Sequence, residues 1–224
     1  MMIRIFVDLE MSPIPRQFAA EKEICQLETI EIGAVILDEE GNEIDFFKEY
    51  VKPAYAEEIP RHIVELTGIR YSTVQQAASF REVLHHFVQW CGEMDYTIYS
   101  WSGNDLLQIL QETALKGIEE TPELLYMYHH WKDFQEEYCG LFPMDHVMSL
   151  EKAVNYCGLD FNGRAHDGLN DARTTADLFR AVHDEKTFEE FRRKVLDCFK
   201  PKSISNTLSD LFDFTLFEAA VSGT

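Results

Sequence analysis

Ile3-Arg4-Ile5-Phe6-Val7-Asp8-Leu9-Glu10 has the β-branched and aromatic residues of a strand that is apolar on both faces. Asp8 and Glu10 then replace apolar residues on the face that Phe6 begins, because side chains two residues apart on a strand point the same way. Two buried carboxylates repel each other unless something compensates them, and a divalent cation bound by oxygen ligands, Mg²⁺ or Mn²⁺, would do so. The pattern also fits a strand that ends in solvent, so this segment alone leaves both interpretations open.

The composition predicts an ordinary globular protein. The chain has 224 residues, 46% of them hydrophobic, which suits one α/β domain. No apolar run approaches the roughly 20 residues that span a bilayer, and the N-terminus enters a strand pattern at once. We therefore expect a soluble, cytoplasmic protein without a signal peptide or membrane contact. The five cysteines are scattered and contain no C-x-x-C pair, which favours reduced thiols over disulfides or a zinc site.

The net charge of −20 limits the class of partner. Proteins that coat long duplex DNA neutralise its phosphates with basic residues, and here 40 acidic residues face only 20 basic ones. Any chemistry on nucleic acid must therefore depend on local metal ions and local cations. A short or single-stranded end is the expected substrate.

The remaining patterns predict a mixed sheet with flanking helices. Strands are expected at residues 29–37 and 44–51, joined as a hairpin, and at 95–100. Helices are expected at 60–67, at 80–91 after a Ser79 cap, from 104 with Leu106, Leu107, Leu110 and Ala114 facing inward, at 124–138, at 148–157, after 168 and at 188–199. Without repeats or a linker, we assign residues 1–200 to one domain. Residues 201–224 form an apolar and acidic tail that is expected to dock or to bind a partner.

Three further polar residues fall near the predicted ends of elements. Asp105 begins the helix after the strand at 95–100, and Asp171 lies in the first turn of the helix after the His166 loop. Sites in open α/β sheets form outside the carboxyl ends of parallel strands, so Asp105 should approach the end of the first strand. Each residue alone has an ordinary structural explanation, because carboxylates stabilise helix N-termini.

Taken together, three segments resemble a known family. V-D-L-E at 7–10, S-W-S-G-N-D at 100–105 and H-D-G-L-N-D-A at 166–172 look like the three motifs of the DEDDh, DnaQ-like 3′→5′ exonucleases. E-T-I-E-I-G-A-V at 28–35, Y-V-K-P at 50–53 and L-T-G-I at 66–69 resemble the branch of histone-mRNA and RNA-interference exonucleases and bacterial sporulation-inhibitor relatives.

The resemblance implies a ribonuclease-H-like α/β fold, with a mixed sheet of about five strands whose second strand is antiparallel to the first. Asp8, Glu10 and Asp171 would hold one Mg²⁺ or Mn²⁺ ion, and Asp8 would bridge to a second ion supported by Asp105. Two such ions clamp the attacking and leaving oxygens of a phosphodiester. His166 would be the general base, because its unperturbed pKa lies near 6.5.

The implied activity is hydrolysis at the 3′ end of single-stranded RNA, which is favoured, or of short DNA, releasing 5′-mononucleotides. By resemblance, Met11 and Ser12 would contact the terminal nucleotide, although the family branch commonly has Ala-Thr there. Trp101 is expected either to stack on a base or to lie in the core, and Arg164 is a candidate phosphate ligand. The alternative function is a protein-interaction or regulatory role of the same fold, with a homodimer or protein partner bound through the tail.

Overall fold

The computed structural model describes residues 3–93, 95–142 and 147–199. Its centre is a six-stranded sheet in the order β4-β3-β2-β1-β5-β6. The strands are β1 (Ile3–Pro13), β2 (Leu27–Leu37), β3 (Glu43–Lys52), β4 (Ala78–Ser79), β5 (Tyr96–Ser100) and β6 (Trp131–Asp133). The predicted tail at 201–224 lies outside the described residues, as does any partner contact that it would make.

The sheet is mixed, as predicted. β2 is antiparallel to both β1 and β3, whereas β5 is parallel to β1. The sheet has six strands rather than about five, because the two-residue β4 and the three-residue β6 add short parallel edges. β1 ends at Pro13, the first of the two prolines that follow Glu10, and not at Glu10 itself. The strand continues to Pro13 through a register shift between Glu10 and Met11, so a bulge follows the second carboxylate directly.

Helices cover both faces of the sheet. They are α1 (Ala19–Lys22), α2 (Arg61–Thr67), α3 (Tyr71–Val74), α4 (Phe80–Cys91), α5 (Asn104–Leu115), α6 (Pro122–His129), α7 (Phe134–Gly140), α8 (Leu150–Cys157), α9 (Gly168–His183) and α10 (Glu185–Phe199). One core packs the β1 face that carries Phe6 against α7 to α10, and the other packs the opposite face against α4 to α6. No helix in the described ranges is both long enough and apolar enough to cross a bilayer.

Two sequence predictions about helices are confirmed in detail. Ser79 caps α4 through a reciprocal capping box with Glu82. Of the helical positions whose spacing predicts a buried face, Val88 is half-buried against the core, and the others are buried: Phe80, Val83, Leu84, Phe87 and Cys91. The apolar stripe of α9, formed by Ala172, Ala176, Phe179 and Val182, is buried as expected. These segments are regular because their periodicity and caps agree with their tertiary packing.

The predicted helix at 124–138 is wrong as a single element. The chain forms α6 and α7 with β6 between them. The indole N–H of Trp131 donates to Ser100 Oγ at 2.8 Å, and β6 pairs with β5. Asp133 then begins α7 by accepting a hydrogen bond from the Glu136 N–H at 3.0 Å.

The inward face predicted for α5 is wrong for three of its four residues. Leu106 is half-buried against the core, but Leu107 and Leu110 are 50% and 38% exposed, and Ala114 is exposed too. The buried positions of this helix are Asp105, Gln108, Ile109, Glu112 and Thr113. This mainly polar face points inward because Gln108 and Glu112 form hydrogen bonds with residues 27 and 29 of β2. This rotation places Asp105 against β1.

Candidate active site

Residues from β1 and α5 meet at the end of the first strand. Asp8 and Glu10 lie on β1, and Asp105 lies in the first turn of α5. The Asp105 Oδ1 atom accepts a hydrogen bond from the Leu9 N–H at 3.1 Å, across 96 residues of sequence. Glu10 and Asp105 are each only 6% exposed. The first two sequence motifs are therefore neighbours in the fold.

The third motif joins them through α9. Glu10, His166 and Asp171 each offer a potential ligand atom, and these atoms lie within 4.8 Å of one another. Asp171 Oδ2 accepts a hydrogen bond from the His166 N–H at 3.1 Å, which ties the loop to the helix. Asp167 caps α9 by accepting from the Asn170 N–H at 3.2 Å. Segments far apart in sequence thus form one site.

Two glycines allow α9 to come this close to the sheet. A Cβ atom at Gly33 of β2 would lie 2.1 Å from backbone atoms of both Gly168 and Leu169, and one at Gly168 would lie 3.0 Å from the Asp8 carbonyl oxygen. The 2.1 Å distances are not possible for a real side chain, and 3.0 Å would require the neighbouring atoms to shift, so backbone packs directly on backbone. Gly168 is therefore explained by this packing.

The carboxylates of the site destabilise one another. Burial raises the pKa of Glu10 to about 8, with a smaller contribution from the charge of Asp171. Burial likewise raises the pKa values of Asp105 and Asp171 to about 7 each. The pKa of Asp8 lies well above its usual range, because of burial and then the charges of Asp105 and Asp171. No lysine or arginine in the described ranges forms an ion pair with any of these four.

This arrangement fits a divalent cation. The Asp171 Oδ1 atom is buried and has no hydrogen-bond partner among the described residues. A buried carboxylate oxygen without a donor costs free energy, and a cation would remove that cost. The atoms that could coordinate a metal here are mainly carboxylate oxygens, which suit Mg²⁺ or Mn²⁺ better than softer metals.

His166 occupies an exposed position beside these buried acids. Its backbone has φ of 60°, in the left-handed region that non-glycine residues seldom adopt. The preceding loop is held by Asn170, whose side-chain N–H donates to the Arg164 carbonyl oxygen at 3.3 Å. An unusual backbone conformation of this kind is often maintained at functional sites.

The residues predicted to bind substrate do not all reach the site. Met11 lines a cavity of about 390 Å³ together with Asp8 and Asp105. Ser12 is buried, and its hydroxyl has no hydrogen-bond partner among the described residues. Trp101 is 8% exposed.

Trp101 and Arg164 instead make structural contacts. The Trp101 indole N–H donates to the Met148 carbonyl oxygen at 3.1 Å, and the ring packs against Phe134 and Tyr138. Of the two interpretations of Trp101, the structure supports the core one. The Arg164 guanidinium donates to the carbonyl oxygens of Glu65 and Leu66, at 2.9 and 3.0 Å. It therefore caps the end of α2 in this conformation, and its donors are directed at those carbonyls.

Sequence reasoning overlooked some residues around the site. Gln26, Leu107, Gln108 and Gln111 line the same cavity as Met11. Glu31, inside the apolar strand β2, is buried next to the site and accepts a hydrogen bond from the Gly168 N–H. An acidic residue within the segment TIEIGAVIL was a usable signal, because buried strands rarely contain one without a partner.

Comparison with known proteins identifies the family. Residues 5–179 match the exonuclease family RNase_T. The chain belongs to this exonuclease family. Among its relatives, human ERI1 exoribonuclease 2 is 27% identical over 171 residues, which cover 66% of this chain and 24% of that protein. The rat 3′-5′ exoribonuclease 1 is 25% identical over 157 residues, which cover 66% of this chain and 45% of that protein. These two alignments thus span less than half the length of either relative.

A solved exonuclease structure has the same fold. The nuclease domain of 3′hExo, a DEDDh family member bound to rAMP, superposes with a TM-score of 0.66 at 22% identity. The alignment covers 83% of this chain and 94% of that domain. This likeness confirms the ribonuclease-H-like α/β architecture that the motifs implied.

Proposed function

We propose that this protein is a metal-dependent 3′→5′ exonuclease that shortens single-stranded RNA or short DNA from the 3′ end and releases 5′-mononucleotides. Its membership of the exonuclease family supports this activity, as do the names of the relatives, which are 3′-5′ exoribonucleases. The observation that carries the proposal is the convergence of Glu10, Asp171 and His166 within 4.8 Å, beside the end of β1.

In this proposal the four acids share the binding of two ions. Asp8, Glu10 and Asp171 would hold one Mg²⁺ or Mn²⁺ ion, and Asp8 and Asp105 would support a second. Bound ions would supply electrostatic stabilisation of the attacking and leaving oxygens of the phosphodiester. The uncompensated burial of these carboxylates supports the assignment, because their mutual repulsion falls when cations bind.

His166 is the proposed general base. Its exposed imidazole stands at the mouth of the site, where it can accept a proton from the attacking water. The hydrogen bond from the His166 backbone N–H to the Asp171 carboxylate holds the residue close to the acids. Protonated, it can return that proton to solvent without leaving its place in the loop.

The substrate is proposed to enter at the cavity that Met11 lines. The cavity of about 390 Å³ opens beside Asp8 and Asp105 and contains the exposed side chain of Leu107. Its walls offer apolar and amide groups rather than cations. A net charge of −20 gives little general attraction for nucleic acid, so recognition of a short, flexible 3′ end is the chemistry that fits.

The direct test uses 5′-labelled single-stranded RNA and DNA of the same sequence, incubated with Mn²⁺. We expect a ladder of products that shortens from the 3′ end and disappears with EDTA and in Asp8→Ala. Glu57→Ala, which changes an exposed acid, is the matched control and should behave like the wild type. Uncleaved substrate under all conditions, or full activity of Asp8→Ala, would contradict the proposal.

A second test separates the role of His166 from metal binding. We expect His166→Ala to bind Mn²⁺ with nearly wild-type affinity, measured by calorimetry, and to lose about 100- to 10,000-fold in turnover. Because the imidazole is near enough to act as a ligand, an equal loss of ion affinity would instead make it part of the metal site.

A further inference from the structure

A fifth buried carboxylate, Glu31, lies next to the site and has its own cation. Glu31 is directly opposite Glu10 in the pairing of β1 with β2 and is 1% exposed. Its Oε1 atom accepts a hydrogen bond from the N–H of Gly168, the first residue of α9, at 2.9 Å. The Lys48 Nζ atom on β3 lies 3.4 Å from the same oxygen.

Lys48 extends this connection to the loop before α9. Its Nζ atom lies 2.6 Å from Asp167 Oδ2, and the other oxygen of Asp167 caps α9 through the Asn170 N–H. One ammonium group therefore joins β3, Glu31 of β2 and the beginning of α9. His166 and Asp171 lie on either side of the residues held in this way.

We infer that Glu31 and Lys48 are positioning residues, which fix the beginning of α9 so that Asp171 and His166 face Glu10. This inference rests on the proposed exonuclease function. Glu31 orients the helix through the Gly168 N–H, and Lys48 neutralises Glu31 so that it does not repel or compete with the acids of the site. Neither residue is expected to touch the substrate.

The fold contains a matched control for a purely structural effect. Arg173 of α9 and Glu43 of β3 form an ion pair at 2.6 Å, so this pair joins the same two elements further along the helix. Loss of this ion pair removes a contact between β3 and α9, while the contacts of Glu31 with Gly168 and of Lys48 with Asp167 stay in place. Arg173→Met therefore reports the cost of loosening the helix in general.

The experiment compares kcat and KM of purified variants with Mn²⁺ and a single-stranded oligonucleotide. We expect Lys48→Met to lower kcat by about 10- to 100-fold with KM changed less than about threefold, as is typical when partners of ligating residues are removed. Glu31→Gln keeps an oxygen that can accept the Gly168 N–H, and its neutral side chain needs no counter-charge. The double variant Glu31→Gln/Lys48→Met should therefore regain most of the kcat that Lys48→Met loses. The control Arg173→Met should keep kcat within about twofold of the wild type.

A second comparison does not depend on the folding of Lys48→Met. Glu31→Ala removes the acceptor of the Gly168 N–H, whereas Glu31→Gln keeps it, so positioning predicts a kcat at least tenfold lower for the alanine variant. Equal kcat values in these two variants, or an equal loss in Lys48→Met and Arg173→Met, would overturn the inference. An inactive wild-type protein would instead refute the proposed function itself.

Discussion

Helix α5 contributes one carboxylate to each of two clusters of acidic residues, and the surrounding protein compensates these clusters in opposite ways. The open cluster consists of Asp8, Glu10, Asp105 and Asp171. The closed cluster consists of Glu28 and Glu112 with Lys116. Asp105 begins α5 and Glu112 lies near its other end, so one helix contributes to both clusters.

The closed cluster is fully compensated by protein groups. Glu112 accepts from the Thr29 N–H and hydroxyl and from Gln108, at 2.7 to 2.9 Å, and its other oxygen lies 2.6 Å from Lys116 Nζ. Glu28 accepts hydrogen bonds from the N–H groups of residues 54–56 and is 3.3 Å from the same ammonium.

The open cluster accepts hydrogen bonds from the backbone N–H groups of Leu9 and His166. Within the described residues it has no lysine or arginine partner, and Asp171 Oδ1 has no hydrogen bond. The contrast teaches that burial of acids alone does not indicate function. Acids with a lysine partner stabilise the fold, whereas we propose that acids left without a cationic partner form a site for a metal ion. Four predictions test this distinction, beginning with the largest expected effect.

Asp171→Asn should separate activity from stability. The amide oxygen can still accept the His166 N–H, but one ligand charge is lost, so we expect activity to fall by about 100- to 1,000-fold or more. Without metal, the same change removes a like charge, and the midpoint of urea unfolding should rise. A less stable metal-free variant would show that the cluster is not under electrostatic stress.

Lys116→Met should lower the stability of the fold, in contrast to Asp171→Asn. It leaves Glu28 and Glu112 buried without their cation, and we expect a loss of about 3 kcal/mol in the free energy of unfolding, measured in urea. Lys186→Met, which changes an exposed lysine, is the control. A cost below about 1 kcal/mol would mean that the hydrogen bonds alone satisfy the closed cluster.

The pH dependence of stability should come from the open cluster. The pKa of Glu10 is raised to about 8 and those of Asp105 and Asp171 to about 7, so the folded state binds more protons than the unfolded state. Metal-free protein should therefore become progressively less stable as the pH rises from 5 to 8.

The metal supplies the control for this pH effect. Saturating Mn²⁺ should reverse the trend, because the ions replace the protons, and Asp171→Asn should weaken it. The unfolding free energy at several pH values, with and without Mn²⁺, checks both expectations. A metal-free stability that does not change over this range would contradict the proposed origin.

Leu107→Ala tests the rim of the open cluster and should have the smallest effect on the fold. The side chain is 50% exposed, so its loss should change the unfolding free energy by less than about 0.5 kcal/mol. Because it lines the cavity, we expect KM to rise by less than about tenfold while kcat is unchanged. A large loss of stability would mean that Leu107 packs in the core, as the sequence first suggested.

The open cluster was predictable from sequence, and the closed cluster was not. Asp8, Glu10, Asp105, Asp171 and His166 stand in short motifs whose spacing relative to strands and helices carries the signal. Glu112 meets Thr29 across 83 residues, so no local pattern reports its burial. The same contact explains why the leucines of α5 face outward although their spacing suggested a core.

Other differences also arise from tertiary contacts. The sequence of residues 124–138, for which we predicted one helix, carried no sign that Trp131 would pair with β5. The role of Trp101 was ambiguous from the sequence, because an aromatic residue just after a strand can either stack on a nucleic-acid base or pack in the core. Only the packing of Phe134 and Tyr138 against it distinguishes the two.

The direct contact of Gly33 with Gly168 has a consequence for the choice of ion. Backbone meeting backbone leaves no side chain whose rotation could widen the gap between the strands and α9. Mg²⁺ binds oxygen at about 2.0–2.1 Å and Ca²⁺ at about 2.3–2.6 Å. This contact fixes the spacing of the backbone behind the proposed ion site, so we expect Ca²⁺ to support activity less well than Mg²⁺.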